Sequence, residues 1–285
     1  MTVRRAESPE LVALLAGRRI AVLTGAGMST DSGIPDYRGP DAPPSNPMTI
    51  QQFTSDQLFR QRYWARNHVG WRRMDNTQPN AGHRALATLE HAGLVTGVIT
   101  QNVDLLHTKA GSRNVVNLHG SYAQVACLGC GYTMSRAALA ERLEALNPGF
   151  TDRAEAVGGL AVAPDADAVV ADTSSFRYLD CPRCGGMLKP DIVYFGENVP
   201  KDRVAQAYSL IDQADALLVA GSSLTVFSGY RFVRHAAAVG IPVAIVNRGR
   251  TRGDDLATVK VDGGCSEILS VLATELAGAV VFEAR

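Results

Sequence analysis

Short apolar runs rich in β-branched residues recur along the chain, each closed by glycine or polar positions. Residues 19–23, 94–100 and 115–118 form an early group, and residues 191–195, 216–220, 242–246 and 259–261 a later one. Several are apolar at consecutive rather than alternate positions, as expected of strands covered on both faces of a parallel sheet. Helical stretches lie between them at 9–16, 57–72, 79–92, 201–213, 229–238 and 266–277, with Pro9 and Pro79 as first-turn prolines. Strand and helix in alternation predict right-handed crossovers and an α/β fold built on a doubly wound parallel sheet. Such sheets form their sites in the crevice beyond the strands' C-terminal ends, so the loops that follow the strands are where chemistry is expected.

Two segments interrupt the alternation. Residues 36–54 are rich in proline and polar side chains and read as a loop, a candidate lid over the site. Residues 121–190 carry two cysteine pairs among mixed helix and loop, and read as a small second domain inserted into the first, which then comprises 1–120 and 191–285. No internal repeat is visible.

Composition narrows the class. With 285 residues, 46% hydrophobic and 20% charged, the chain can bury a sizeable core and lacks the bias of a disordered one. Its 28 basic residues balance 28 acidic ones, which removes the bulk electrostatic footprint of a nucleic-acid binder. No apolar run approaches the roughly 18 residues that would span a membrane; the best candidate, 236–246, is interrupted by Pro242. The N-terminus has arginines but no apolar stretch of a signal peptide, and Glu7 and Glu10 disfavour a transit peptide. An odd count of five cysteines argues against a disulfide framework, so a cytoplasmic protein is expected.

Candidate chemistry gathers at the predicted strand ends. Gly25-Ala26-Gly27-Met28-Ser29 follows the first strand; its glycines allow close backbone approach to a phosphate, or make an ordinary βα turn. It departs from the regular dinucleotide fingerprint, with Thr30 in the third glycine's place and no acid about 20 residues on. Gln101, Asn102 and Asp104 follow another strand and can offer amide donors and acceptors, although Asp104 equally suits a helix cap. His119 ends a third strand, where an imidazole titrating near neutral pH can act as a general base or simply belong to a turn. His68, His83, His91, His107 and His235 fall in predicted helices and carry no expected chemistry. Gly221-Ser222-Ser223, Asn247-Arg248-Gly249 and Gly263-Gly264-Cys265 are singly plain turns, yet jointly they outline a nucleotide cleft at one sheet edge. Cys127, Cys130, Cys181 and Cys184 form two Cys-x-x-Cys pairs that can close a tetrahedral zinc site, a dithiol redox motif being the alternative. The 50 residues between the pairs exceed the usual spacing.

Taken together, these motifs resemble the sirtuins. The match includes Gly-Ala-Gly-x-Ser-x-x-Ser-Gly-Ile-Pro-Asp-Tyr-Arg at 25–38, Gln-Asn-Val-Asp at 101–104, Leu-His-Gly at 118–120, both cysteine pairs, Lys-Pro-Asp-Ile-Val-Tyr-Phe-Gly-Glu at 189–197 and Gly-Ser-Ser at 221–223. Residues 60–67 and 107–113 look most like the class II branch, which contains the mitochondrial lipoamidase-type sirtuin. The resemblance implies a Rossmann-like domain, a small structural zinc module, and an NAD-consuming deacylase acting on acylated lysine in proteins or peptides. It places Gly25, Ala26, Gly27, Pro35, Asp36, Tyr37 and Arg38 over the dinucleotide, and Gln101, Asn102, Asp104 and Arg38 around the nicotinamide. Gly221, Ser222, Ser223, Asn247, Arg248, Gly249 and Cys265 would hold the adenosine half. Val193, Tyr194, Phe195, Gly196 and Glu197 would pair as a strand with the substrate peptide. By the same resemblance the acyl oxygen attacks the anomeric carbon, nicotinamide leaves, and His119 deprotonates a ribose hydroxyl so that the acyl group passes to ADP-ribose.

Three departures bear on acyl preference. Tyr37 replaces a frequent Phe, Ser228-Gly229 stands where many members carry proline, and the segment between the cysteine pairs is long. Tyr63 and Arg66 lie three apart on a predicted helix, resembling an acidic-acyl recogniser, but a surface pair is the expectation. Mono-ADP-ribosyl transfer uses the same cleft, and an NAD-binding interaction module with little catalysis is the non-enzymatic rival. A dehydrogenase lacks the ribose-binding acid.

Overall fold

The structure, a computed structural model, describes residues 8–39, 42, 47–156, 168–170 and 172–283. Part of the expected lid (40, 41 and 43–46) and of the inserted domain (157–167 and 171) lie outside the described residues. In chain order the elements are α1 (Pro9–Leu15), β1 (Ile20–Thr24), α2 (Ile50–Ser55), α3 (Gln57–Asn76), α4 (Ala81–His91), β2 (Val95–Thr100), α5 (Leu106–Lys109) and β3 (Val115–Asn117). They continue with β4 (Gly120–Cys127), β5 (Thr133–Ser135), α6 (Arg136–Leu146), α7 (Phe150–Ala156), β6 (Leu188–Ile192), α8 (Lys201–Asp212), β7 (Ala216–Ala220), α9 (Phe227–Ala238), β8 (Val243–Val246), β9 (Val259–Val261) and α10 (Cys265–Glu283). The chain divides into two units. The first comprises Met1–Ala42, Gln78–Leu118 and Val199–Arg285, the second Pro43–Thr77 and His119–Asn198.

The first unit is a parallel sheet in the order β3-β2-β1-β7-β8-β9. Its middle strands are buried throughout because both faces are covered: β1 and β7 have no exposed position. Alternate residues feed two cores. Ile20, Val22, Val98 and Leu218 meet Leu11, Leu86, Leu269 and Leu272 of α1, α4 and α10 on one face. Leu23, Ile99, Leu217 and Val219 meet Ile211, Phe232 and Val233 of α8 and α9 on the other. This is the doubly wound α/β sheet that the apolar runs predict.

The second unit holds an antiparallel sheet in the order β5-β4-β6, with α2, α3, α6 and α7. Residues 191–195, expected as a strand of the large sheet, belong here instead. Strand β6 pairs antiparallel with β4, and Pro190, which has no N–H to donate, is tolerated because β6 lies at a sheet edge. Residues 47–77 also join this unit, whereas the sequence placed them with the large sheet. The reason is aromatic packing: Phe53 and Tyr63 meet Tyr194 in tilted and edge-on contacts at ring separations of 5.4 and 5.5 Å.

Local boundaries move for capping reasons. Residues 50–54 of the expected loop are helical, since Thr49 and Gln52 form a capping box at the start of α2. Asn80 caps α4 through its side chain, so Pro79 precedes the cap rather than standing in the first turn. Pro9 does open α1 behind Ser8. No helix among the described residues is long and apolar enough to cross a membrane.

Leu218 has no exposed surface in the middle of the large sheet. Leu218→Ala should lower folding stability by about 2–5 kcal/mol, read as a shift of the urea unfolding midpoint. An unchanged midpoint contradicts a sheet packed on both faces.

Candidate functional site

Strand order reverses between β1 and β7, since the strands after β1 step one way and those after β7 the other. The loops leaving these two strands lock together there. Gly27 N–H donates to Gly221 O at 2.9 Å, and Gly25 N–H to Ala220 O at 3.2 Å. Gly221 has φ +65°, and a Cβ on it would stand 2.2 Å from the Met28 nitrogen. A Cβ on Gly25 would stand 2.8 Å from Ser222 Cβ. Only glycine fits either place, so bare backbone faces the crevice where a switch-point ligand binds.

The loop after β2 completes this cradle. Gln101 Oε1 accepts from Ser222 Oγ at 2.7 Å. Asn102 Nδ2 donates to Gly25 O at 2.9 Å and to Ser29 Oγ at 3.0 Å, and Ser29 Oγ donates to Asp104 Oδ2 at 2.7 Å. Asp104 Oδ1 also accepts from Leu106 N–H at 2.9 Å, but the cap position of α5 is Leu105, so Asp104 is not the helix cap that was expected. Burial raises the Asp104 carboxyl above its usual value, against the two donors that lower it. The structure thus joins Gly25, Gly27, Gln101, Asn102, Asp104, Gly221 and Ser222 in one network. Ser29, with 1% exposure, is its hub, which the sequence reading passed over.

Behind the network lies a second buried layer that was not anticipated. Thr24 Oγ1 meets Thr100 Oγ1 and His107 Nε2, each at 2.9 Å, and His107 meets His83 edge to face with ring centroids 4.8 Å apart. Burial holds both imidazoles below their usual pKa, His83 at about 4. Burial favours the neutral form of both, His107 bonded to Thr24 and His83 to the Asn80 cap of α4, and the strand-end threonines were the signal that could have found this layer.

The remaining predicted residues of this unit line the sheet edge more loosely. Lys260 Nζ donates to Asn247 O at 3.2 Å and Gly249 O at 2.8 Å, and Gly249 N–H reaches the Asp262 carboxylate at 3.2 Å. Arg248 is exposed and Ser223 half-buried. Cys265 is buried, with its thiol pushed up to about 12 by burial, so it is an inert thiol at the start of α10. Pro35, Asp36 and Tyr37 are half-buried and Arg38 exposed, the Asp36 carboxylate accepting from Gly39 N–H at 2.6 Å. Ser228 and Gly229 lie in the first turn of α9 rather than in a loop, and a Cβ on Gly229 would stand 2.6 Å from Gln101 Nε2.

In the second unit His119 is half-buried and its carbonyl accepts from Val193 N–H at 2.8 Å. The stretch from Val193 to Glu197 is braced on both sides. Phe195 bridges to Thr49, with Ile50 N–H donating to Phe195 O at 3.0 Å. Glu197 Oε2 accepts from Tyr194 N–H at 2.9 Å and pairs with Lys189 Nζ at 3.1 Å. Lys189 is buried over the Tyr194 ring, a positioning group that the sequence left unremarked. Tyr63, expected at the surface with Arg66, is 1% exposed inside the aromatic cluster, because α3 packs that face inward.

The four remaining cysteines form a compact cluster. Their sulfurs all lie within 4.8 Å of one another, with Cys127 to Cys184 at 3.6 Å and Cys130 to Cys181 at 3.8 Å. Zinc bound tetrahedrally at about 2.3 Å separates its sulfurs by about 3.8 Å, so the donor set fits that ion. Each pair sits on a turn of the same design: Gly131 N–H donates to Cys127 O at 3.0 Å, and Gly185 N–H to Cys181 O at 2.9 Å. Gly129 N–H also points to Cys127 Sγ at 3.3 Å, which supports a thiolate there. Four protein sulfurs leave no ligand position for water, so such an ion is structural.

A doubly wound sheet with a glycine-only crossing at its switch point defines a Rossmann-like class of α/β protein, whose ligands bind at that crevice. Comparison narrows it: residues 25–228 match the Sir2 family model, and the chain belongs to the Sir2 family. It is 83% identical over 276 residues to "NAD-dependent protein deacetylase 1" of Mycobacterium avium (strain 104), covering 97% of this chain and 98% of that one. It is 52% identical to the protein of the same name from Streptomyces coelicolor, covering 94% and 89%. Among solved structures, a complex titled "Sir2-p53 peptide-NAD+" superposes with a TM-score of 0.76 at 32% identity, over 96% of this chain and 99% of that one.

Two measurements test this geometry. Gly221→Ala should cost about 2–4 kcal/mol of stability, whereas Gly240→Ala, at φ +79° with nothing within 4 Å of the added Cβ, should cost about 1–2 kcal/mol. Equal losses contradict a close crossing at Gly221. Elemental analysis should find one zinc per chain, lost in Cys181→Ser together with a lower melting temperature. A metal-free wild type with unchanged melting contradicts the zinc assignment.

Proposed function

We propose that the chain is an NAD-dependent protein-lysine deacylase, which releases nicotinamide and transfers the acyl group to ADP-ribose. The observation that carries this reading is the glycine crossing between Gly25–Gly27 and Gly221, tied to Asn102 directly, to Gln101 through Ser222 and to Asp104 through Ser29. Membership of the Sir2 family and relatives named as NAD-dependent deacetylases support it.

In this reading the backbone of Gly25, Ala26 and Gly27 approaches the pyrophosphate, and residues 35–38 cover it. Asn102 and Asp104 frame the nicotinamide carboxamide, their geometry preset through Ser29. Gln101 is held toward the same side by Ser222. Gly221 to Ser223 and Asn247 to Gly249, with Cys265 behind them, take the adenosine half. Preorganisation matters because an amide oxygen is a poor nucleophile: it must be held against the anomeric carbon with water excluded. His119 then removes a proton from a ribose hydroxyl. Residues Val193 to Glu197 take up the acylated peptide by strand addition, braced by Lys189 and Glu197. Zinc on Cys127, Cys130, Cys181 and Cys184 holds the second unit together and takes no part in the reaction. The same four cysteines must stay reduced to bind it, which fits a cytoplasmic setting.

The finer assignment is a class II enzyme with weak deacetylation and preference for longer or modified acyl chains. It rests on the likeness of residues 60–67 and 107–113, while the relatives carry the name deacetylase.

The test is incubation with NAD and acetyl-, butyryl- and lipoyl-lysine peptides, read by mass spectrometry. Acyl-ADP-ribose and free lysine peptide are expected, with His119→Ala losing at least 100-fold in turnover while NAD still binds. ADP-ribosylated protein without deacylation overturns the reading, and full activity in His119→Ala removes the histidine from its role.

A further inference from the structure

Gly229 is a glycine that its own backbone does not call for. It is the third residue of α9, is buried, and does not have positive φ. At such a place glycine is the poorest helix former after proline, and alanine would be the better local choice. What glycine supplies there is room. A Cβ on Gly229 would stand 2.6 Å from Gln101 Nε2, 2.7 Å from its Cδ and 2.9 Å from its Oε1. All three atoms belong to one group, the Gln101 carboxamide.

The segment between β7 and α9 holds that carboxamide in place. Ser222 Oγ donates to Gln101 Oε1 at 2.7 Å and accepts from Leu224 N–H at 3.3 Å. Leu224 stands at φ +56°, the left-handed region that is unfavourable for a residue with a side chain. Its side chain is 1% exposed, and a Cβ on Gly253 would stand 2.6 Å from Leu224 Cδ1. The main chain of Gln101 is anchored separately, its N–H donating to Thr24 O at 2.9 Å. A strained leucine and a helix-weakening glycine thus act on the same side chain, the first through Ser222 and the second by leaving space. Local preferences overridden in this way mark a place where tertiary contacts specify the geometry. The Ser228-Gly229 departure from the commoner pattern therefore bears on Gln101.

We propose that Gly229 is a positioning residue: its missing side chain leaves a notch in α9 that seats the Gln101 carboxamide, and the notch thereby sets the nicotinamide end of the cleft. The second half rests on the deacylase reading, which puts Gln101 beside the nicotinamide; the notch itself does not. A methyl group at position 229 pushes the carboxamide off the helix and away from Ser222.

The experiment uses the full chain as wild type, Gly229→Ala, Gln101→Ala and the double variant. Melting temperature tests the notch. Gly229→Ala should lower it when Gln101 is present and raise it in the Gln101→Ala background, where only the better helix former counts. A change of the same sign in both backgrounds overturns the notch. Calorimetric titration with NAD and with ADP-ribose, which lacks the nicotinamide, tests the positioning role. The ratio of NAD affinity to ADP-ribose affinity should fall at least about fivefold in Gly229→Ala and in Gln101→Ala, and the double variant should lie within about twofold of Gln101→Ala. A ratio that falls in Gln101→Ala alone, with Gly229→Ala weakening both ligands equally or neither, assigns Gly229 to helix packing and overturns the positioning role. A ratio that falls in neither single variant overturns the nicotinamide half of the proposal and counts against the placement of Gln101. A wild type that binds neither ligand counts against the deacylase reading, and the melting comparison still decides the notch. If Gly229→Ala does not fold, a folded double variant supports the notch and an unfolded one overturns it.

Discussion

The first unit depends on one close approach. Where strand order reverses, the loops after β1 and β7 pass with backbone against backbone, and a hydrogen bond from Gly27 to Gly221 fixes their spacing at 2.9 Å. A methyl group on Gly221 would collide with Met28, so the crossing admits no side chain. Everything polar nearby is organised by it: Ser222 is placed to hold Gln101, and the Gly25 carbonyl is placed to receive Asn102. Rigid strands buried on both faces keep the crossing from relaxing, which links the core to the site.

The second unit is organised by different means. Its sheet is small, and the cysteine cluster and the aromatic group around Tyr63 add to a core that includes Val125, Leu139, Leu143 and Phe176. Buried Lys189 and half-buried Glu197 form a pair that braces the turn after β6, which sets how the Val193 to Glu197 backbone is presented. Truncating one member of such a pair leaves the other charge stranded, so the pair is a positioning device as much as a stabilising one.

Most of the large sheet was legible in the sequence because its strands are apolar at consecutive positions and end in glycine or small polar residues. The residues of 25–27, 101–104 and 221–223 were legible for the same reason, lying where strands stop. What escaped was set by tertiary contacts. Residues 191–195 carry strand composition, but nothing in their pattern distinguishes an edge strand of a small antiparallel sheet from one of the large parallel sheet. Tyr63 looked like a surface residue because its helix is polar overall, and the positions of Phe53 and Tyr194 show that its ring is covered. Ser29 and Arg136 are ordinary residues in a sequence; one becomes a hub and the other a buried cation only when distant segments close around them.

The central claim is that the glycine crossing is the dinucleotide cradle. Calorimetric titration of NAD into the wild-type chain and into Gly27→Ala tests it most directly, since a Cβ there would stand 3.0 Å from the Gly221 carbonyl and narrow the cradle. At least a tenfold loss of affinity in a variant that remains folded is the expected result. Unchanged affinity would mean that NAD binds away from the crossing, and would contradict the account.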